Sequence, residues 1–406
     1  MEYYDVLLPL AIILTVSKAF AKICERFKLP AVVGMLIAGL AIGLINYIPG
    51  QTVFTDTTVS GIGFIAKIGV ILIMFSAGLE TNVNQIKAIG LPAVIITIFG
   101  VVVPMGLGFV VAVLFNGGFA DMTPDRLYTC LFYGVILTAT SVSVTVATLK
   151  ELNKLDSKVG STIIAAAIID DIIGVIVLSF ILSMQSGNSG EVQSPITVML
   201  LTVMFFVVII ILGFFANKLF KFIERKWPHH RMLPIFSVSL CFLFAYLGEH
   251  WFGVADITGA FAAGLILSQN PESEYIDRKS DIMSYMIFTP VFFANIGITT
   301  RFSNIDASVV LFGLCFIVAG ICGKLFGCMG ASLICRYSVR DSLRVGVGMM
   351  ARAEVALICA QKGIDKGMID SSIMPFIVIL IIISGLATPI ILKKSYSQPK
   401  QNLKAA

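Results

Sequence analysis

Apolar stretches long enough to cross a bilayer follow one another from end to end of the chain, divided by short polar segments. A hydrocarbon core about 30 Å thick takes roughly 20 helical residues to span, and thirteen segments approach that length. They lie near 5–22, 30–46, 62–79, 88–115, 127–149, 159–183, 195–217, 231–251, 254–269, 284–298, 307–334, 342–361 and 372–391. The alternating ten-residue segments of a transmembrane β-barrel do not occur in the sequence. In lipid every backbone polar group must be satisfied internally, so the pattern predicts an all-α polytopic membrane protein with about 13 transmembrane helices. The opening MEYYDVLLPLAIILTVSKAF is acidic before its apolar run and lacks a small-residue cleavage site, which predicts a first spanning helix and not a signal peptide.

Two segments are poor continuous helices. LTATSVSVT (137–145) sets a Thr/Ser cluster in mid-membrane, and RVGVGMMARAEVAL (344–357) carries two glycines and internal charges. Both are candidate unwound crossovers, whose half-helix ends bring unpaired N–H and C=O groups and partial charges into the bilayer.

Composition narrows the class. With 57% hydrophobic and 13% charged residues, against about 25% charged in soluble domains, a soluble fold is excluded. Thirteen crossings place the termini on opposite sides, and the basic residues decide which. Of 29 lysines and arginines, only Arg126, Arg301, Lys362 and Lys366 fall in loops opposite the C-terminus, and Lys18, Lys67, Lys324 and Arg352 fall within spans. All the others share the C-terminal side, so the positive-inside rule puts the C-terminus in the cytoplasm and the N-terminus outside. The net charge of +5 therefore reflects cytoplasmic loops and gives no reason to expect nucleic acid. Eight cysteines without a CxxC pair and three histidines, of which His229 and His230 share a loop, make no zinc pattern. Lys18 and Lys67 lie near predicted helix ends and can snorkel to the interface; Glu249 and Asp256, close to span ends, also read as interfacial. Lys324 and Arg352 lie near the middle of their spans and need partners.

An internal repeat adds topology. GMLIAGL (34–40) and GAFAAGL (259–265) both read Gly-x-x-x-Ala-Gly-Leu. The following segments end MFSAGLETNVNQI (74–86) and FANIGITTRFSNI (293–305), pairing Gly78 with Gly297 and Thr81 with Thr300. The offset is seven segments, an odd number, so the copies cross the membrane in opposite directions. The expectation is two inverted-topology six-helix repeats around a linker helix, an arrangement of secondary transporters whose substrate sites lie at the midplane where broken helices meet. The same offset makes 137–145 and 344–357 counterparts.

The run IIAAAIIDDIIGVIVLSF (163–180) holds the most costly feature, adjacent Asp170 and Asp171 with no other charge nearby. One such carboxylate at a helix centre costs about 2.5–3.5 kcal/mol on insertion scales. Adjacent helix positions point about 100° apart, so one carboxylate can face a lysine on a neighbouring helix while the other faces a cavity. Na⁺, a hard cation, prefers carboxylate, hydroxyl and carbonyl oxygen. Removal from water disfavours the charged form of a carboxyl or an amine, so either group could exchange protons near neutral pH, and a protonated carboxyl no longer offers a charge to the ion.

Together TATSVSVT, IIDDIIG, ITGAFAAGL, the lysine of AGICGKLFG and GMMARAEVAL resemble the monovalent cation/proton antiporter-2 family, most closely its two-aspartate, electrogenic bacterial sodium/proton antiporters. The resemblance covers residues 1–392. It implies a homodimer in the plasma (inner) membrane that exchanges Na⁺ or Li⁺ for protons by alternating access, with a core moving like an elevator. The expected division places core helices near 62–183 and 284–391, dimerisation and scaffold helices near 5–46 and 195–269, and a short cytoplasmic tail at 393–406. By the family pattern Asp171 is the ion-binding carboxylate and the ligand for Na⁺, Asp170 pairs with Lys324, and Thr140 and Ser141 lie near the ion. Lys324 and Glu354 offset the half-helix dipoles, and Arg352 matches the motif as a further charge-compensating residue. The partners implied are Na⁺ and H⁺, with Li⁺ or K⁺ as alternatives, and the lipid bilayer; no cofactor is implied.

Three other readings compete. A K⁺/H⁺ antiporter or K⁺ efflux system would use the same scaffold. Ligand-gated efflux relatives carry a nucleotide-binding domain, and no GxGxxG-bearing βαβ unit occurs in this sequence. An intramembrane aspartyl protease would need two Asp on separate helices sharing a proton. The remaining candidate, Asp256, sits at a span end, and no GxGD motif occurs, so the chain does not read as an enzyme. A membrane sensor without transport would leave the charged midplane costly and unused.

Overall fold

The computed structural model describes residues 4–26, 31–48, 50–81, 90–120, 122–141, 143–155, 157–184, 195–226, 232–299 and 307–396. His229 and His230 lie outside the described residues, as do the last parts of the two aligned repeat segments. Among the described residues there are sixteen α-helices and no strand. In chain order they are α1 (Tyr4–Arg26), α2 (Ala31–Gly43), α3 (Asp56–Glu80), α4 (Leu91–Phe115), α5 (Pro124–Ile136), α6 (Ser143–Glu151), α7 (Lys158–Met184) and α8 (Pro195–Lys226). There follow α9 (Met232–Leu247), α10 (Asp256–Leu267), α11 (Ser273–Met283), α12 (Thr289–Thr299), α13 (Ala307–Ile334), α14 (Val339–Met349), α15 (Glu354–Asp365) and α16 (Met374–Tyr396). A π-helical turn, Gly248–Phe252, extends α9, and another, Ser284–Phe288, joins α11 to α12. Among the described residues nine helical stretches are long and apolar enough to cross a membrane, and α2 and α10 are shorter apolar helices.

Local chemistry sets several starts. Thr55 Oγ1 accepts from Thr58 N–H ahead of α3, Thr123 does the same for Arg126 ahead of α5, and Ser338 for Asp341 ahead of α14. Each relieves one orphan donor of a first turn. The two interruptions fall in the stretches whose composition disfavours continuous helix. Helix α5 stops at Ile136 and the chain resumes helix at Ser143; α14 stops at Met349 and α15 begins at Glu354. The unwound strands meet where Ser141 N–H donates to Ala351 O at 2.9 Å.

Packing sorts the helices into two groups. In the first, α2 lies against α1 and α12, α3 against α10 and α12, and α10 against α9. In the second, α4 packs on α13, α5 and α7, and α13 on α14 and α16. Helix α8 touches α7 of the second group and α9 and α10 of the first. Small residues allow the tightest crossings, as expected where lipid removes the hydrophobic drive between helices. A Cβ at Gly323 of α13 would lie 2.7 Å from Pro104 Cα of α4. In the first group the close contacts are reciprocal. Gly39 abuts Ala294 on α12 while Gly297 of α12 abuts Leu36, and Gly78 abuts Phe261 on α10 while Gly264 of α10 abuts Phe75.

Candidate ion-binding site

The midplane of the second group collects the charges singled out above. Asp170 and Lys324 are both buried, and Lys324 Nζ donates to Asp170 Oδ1 at 2.6 Å and to Thr138 O at 2.8 Å. Gly100 of α4 borders the pair: a Cβ there would stand 2.8 Å from Cys328 Sγ and in ordinary contact, 3.7 Å, with Lys324 Nζ. Arg352, also fully buried, donates through Nη1 to Ala139 O and through Nη2 to Gly320 O at 3.1 Å, while its own backbone N–H is accepted by Ser384 Oγ at 3.1 Å. Two cations therefore cover the carbonyls freed where α5 unwinds, the negative end of that half-helix dipole. At the corresponding end of α14 a hydroxyl serves instead, with Thr145 Oγ1 donating to Gly348 O at 2.7 Å.

Asp171, one residue along α7, is half-buried. It lines a small cavity with Asp170, Thr138, Ala139, Gly174 and Cys359, closed on the side of the first group by Met74 of α3 and Ile257 of α10. The volume, about 10 Å³, matches the roughly 10–15 Å³ needed to hold one water-sized body. The Asp171 carboxylate and the Thr138 hydroxyl, whose proton goes to Val135 O, are oxygen groups of the kind a small hard cation prefers, whereas the carbonyls of Thr138 and Ala139 are taken by Lys324 and Arg352.

The remaining candidates fall nearby. Thr140 and Ser141 are buried in the same crossover; Thr140 Oγ1 turns back toward Thr138 O at 3.5 Å, and neither residue is among those lining the cavity. Glu354 is the first residue of α15, at the positive end of that helix dipole; its side chain lies outside the described set. Sequence reasoning passed over Thr138 and Ala139, because a backbone carbonyl acceptor leaves no mark in residue type.

It also treated Glu249 and Asp256 as interfacial. In the structure Lys362 Nζ lies 2.5 Å from Asp256 Oδ1, and Lys366 Nζ lies 2.7 Å from Glu249 Oε1. The spacing held a signal: two acids seven residues apart at adjoining span ends face two lysines four apart, all on the side that the lysine bias assigns to Lys362 and Lys366. Lys18 and Lys67 also have definite surroundings. Lys18 Nζ sits 3.1 Å from the centroid of the Tyr285 ring, and Lys67 lines a second, larger cavity.

Residues 11–394 match the model of a family described as sodium/hydrogen exchanger, transmembrane. The chain is 32% identical over 397 residues to the Na⁺/H⁺ antiporter of Enterococcus hirae, covering 97% of this chain and 98% of that one. It is 32% identical over 409 residues to the Na⁺/H⁺-K⁺ antiporter GerN of Bacillus cereus, covering 99% of each. The structure of the sodium proton antiporter MjNhaP1 from Methanocaldococcus jannaschii is similar in fold, with a TM-score of 0.72 at 19% identity over 98% of this chain and 97% of that one. The protein is therefore a multi-pass membrane protein that belongs to the sodium/hydrogen exchanger family of monovalent cation/proton antiporters.

Proposed function

We propose that this protein exchanges Na⁺ or Li⁺ for protons across the plasma membrane by alternating access, and that Asp171 carries the cation or the proton in turn. The observation that supports this most is the difference between adjacent carboxylates on the wall of a cavity sized for one small body: Asp170 is buried and held by Lys324 at 2.6 Å, while Asp171 is only half-buried. A proton on Asp171 removes its charge as a ligand, so cation and proton compete for one carboxylate. Lys324, Arg352 and Glu354 offset the charge of the half-helix ends, and Thr140 and Ser141 support the crossover beside the ion. Exchange of more protons than cations makes the cycle electrogenic, so the membrane potential contributes about 2.3 kcal/mol per net charge per 100 mV.

The proposed topology has thirteen crossings, counting each interrupted pair and each short apolar helix as one, with the N-terminus outside and the C-terminus in the cytoplasm. The reciprocal glycine contacts support an inverted repeat: an axis exchanging α2 with α10 and α3 with α12 converts the Gly39–Gly297 contact into the Gly264–Gly78 contact. We further propose that the protein is a homodimer and that its two bodies divide at the packing seam. By packing, α3 and α12 go with the scaffold, although residues 62–79 and 284–298 group with the core in the division expected from sequence. The core is then α4–α7 with α13–α16, moving as an elevator.

Dissipation of a pH gradient in proteoliposomes on adding Na⁺, Li⁺ or K⁺, with the potential clamped or free, tests this. A Na⁺ response that depends on the clamp and is lost in Asp171→Asn is the expected result; no response to any cation would sink the proposal. A response to K⁺ alone would support the second reading, K⁺/H⁺ exchange on the same scaffold, which the likeness to a Na⁺/H⁺-K⁺ antiporter favours over non-transporting alternatives.

A further inference from the structure

A second cavity, of about 220 Å³, opens between α3, α12 and α15, with Lys67, Asn295, Gln361, Lys362 and Asp365 among the residues on its wall. Polar or charged side chains stand on all three helices, so the recess offers partners to water although much of its wall is apolar. It lies directly above the Asp171 cavity along two shared helices. On α3 the larger cavity ends at Val70 and the smaller one is lined by Met74, one turn further on. On α15 the wall runs from Asp365 down to Ile358, and the smaller cavity continues with Val355 and Cys359. Ile358 is the residue the two cavities have in common, and it is 1% exposed.

The ion pairs hold this residue in place. Lys362, one turn beyond Ile358 on α15, is bound to Asp256, the first residue of α10, and the next residue, Ile257, lines the Asp171 cavity. Lys366 and Glu249 repeat the contact one turn further out. Ser183 Oγ donates to Gly253 O at 2.6 Å on the same face, so α7 is fastened to the same scaffold turn.

We infer that Ile358 is a hydrophobic plug between a wet vestibule and the Asp171 cavity, and that the Lys362–Asp256 pair is the clasp that keeps it closed. The vestibule admits a hydrated monovalent cation. The smaller cavity beyond Ile358 admits a single water-sized body, so the cation sheds water at the plug. Ile358 is thus an access-controlling residue for the exchange, one turn from a charge pair that must part before the core can move against the scaffold. The functional meaning rests on Asp171 as the ion site; the plug itself is a statement about access and is tested without transport.

Cys359 provides the reporter, because it is buried in the smaller cavity immediately beside Ile358. Full-length protein in proteoliposomes is treated with methanethiosulfonate ethylammonium, and modification of each cysteine is followed by peptide mass spectrometry. In the wild type Cys359 should react slowly, with Cys130 and Cys241, both fully buried, as internal references. Loss of three buried carbons in Ile358→Ala should raise the rate at Cys359 about tenfold or more by weakening closure. Asp256→Asn, which leaves the plug intact but opens the clasp, should raise it by a smaller factor, and the volume-conserving Ile358→Leu should leave it unchanged. Equal rates at Cys359 in wild type and Ile358→Ala would overturn the plug. Should Ile358→Ala expose Cys130 and Cys241 as well, Ile358→Val replaces it, and the same comparison decides. Loss of transport in Asp171→Asn without any of these changes in labelling would support the ion site and reject the plug.

Discussion

Asp170 and Asp171 differ by one position and take different surroundings because a helix turns about 100° per residue. The first is bound by Lys324 with negligible exposure, and the second is half-buried on the wall of the cavity that both line. A buried ion pair is a poor source of net stability, yet removing one member strands the other and costs about 3–5 kcal/mol. Lys324→Ala should therefore lower the melting temperature in detergent sharply, and the double variant Asp170→Asn/Lys324→Ala should recover much of the loss. A double variant no more stable than Lys324→Ala would show that the lysine acts mainly through its bond to Thr138 O. The placement of both charges at mid-span was legible in the sequence, since hydropathy locates them. Their contact was not, because the two residues are 154 positions apart and meet only through the packing of α4 on α7 and α13, a condition no local pattern expresses.

Helices here meet through glycines whose positions are specific to one neighbour. At Gly323 an added methyl would meet Pro104 Cα at 2.7 Å, whereas at Gly106 and Gly330 nothing stands within 4 Å. Backbone cannot yield as a flexible side chain can, so Gly323→Ala must part α4 from α13. Overpacking of this kind costs about 1–3 kcal/mol, while Gly106→Ala should be neutral or stabilising by about 0.5–1 kcal/mol through helix propensity. Thermal unfolding of the two variants checks the contrast, and similar melting temperatures would contradict the tight α4–α13 crossing. At this scale the sequence was most informative about where helix fails. A Thr/Ser cluster and a Gly-rich charged stretch marked the interruptions that follow Ile136 and Met349. It was less informative about length: α10 is only twelve residues and α8 runs to Lys226, since hydropathy averages over helix ends and a soluble extension of a helix looks like a loop.

For the whole molecule, polar links between the two packed groups gather at one face. Besides the two lysine–acid pairs, Ser179 Oγ of α7 is hydrogen-bonded to Thr258 Oγ1 of α10, and Ser183 to Gly253 O. If the core slides against the scaffold, these contacts must break in every cycle. Cross-linking Ser179→Cys to Thr258→Cys under oxidising conditions should arrest exchange, and a thiol reductant should restore it. Undiminished exchange with the cross-link fully formed would show that the seam is not sheared during transport. The more exposed Lys366–Glu249 pair is worth about 0–1 kcal/mol in water, weak enough to be undone in a working cycle.

The amino-acid sequence alone determined that the chain is helical and lies in a membrane, where its helices falter and which charges sit at depth. Those properties follow from residue-by-residue transfer free energy and backbone hydrogen bonding, which are local. The tertiary structure decided the rest: that Lys324 meets Asp170, that Arg352 covers the carbonyl of Ala139, and that Asp256 and Lys362 close the seam over Ile358. These contacts join residues more than a hundred positions apart. Each depends on how closely two particular helices approach, which is set by the absence of side chains at glycines as much as by the groups that touch.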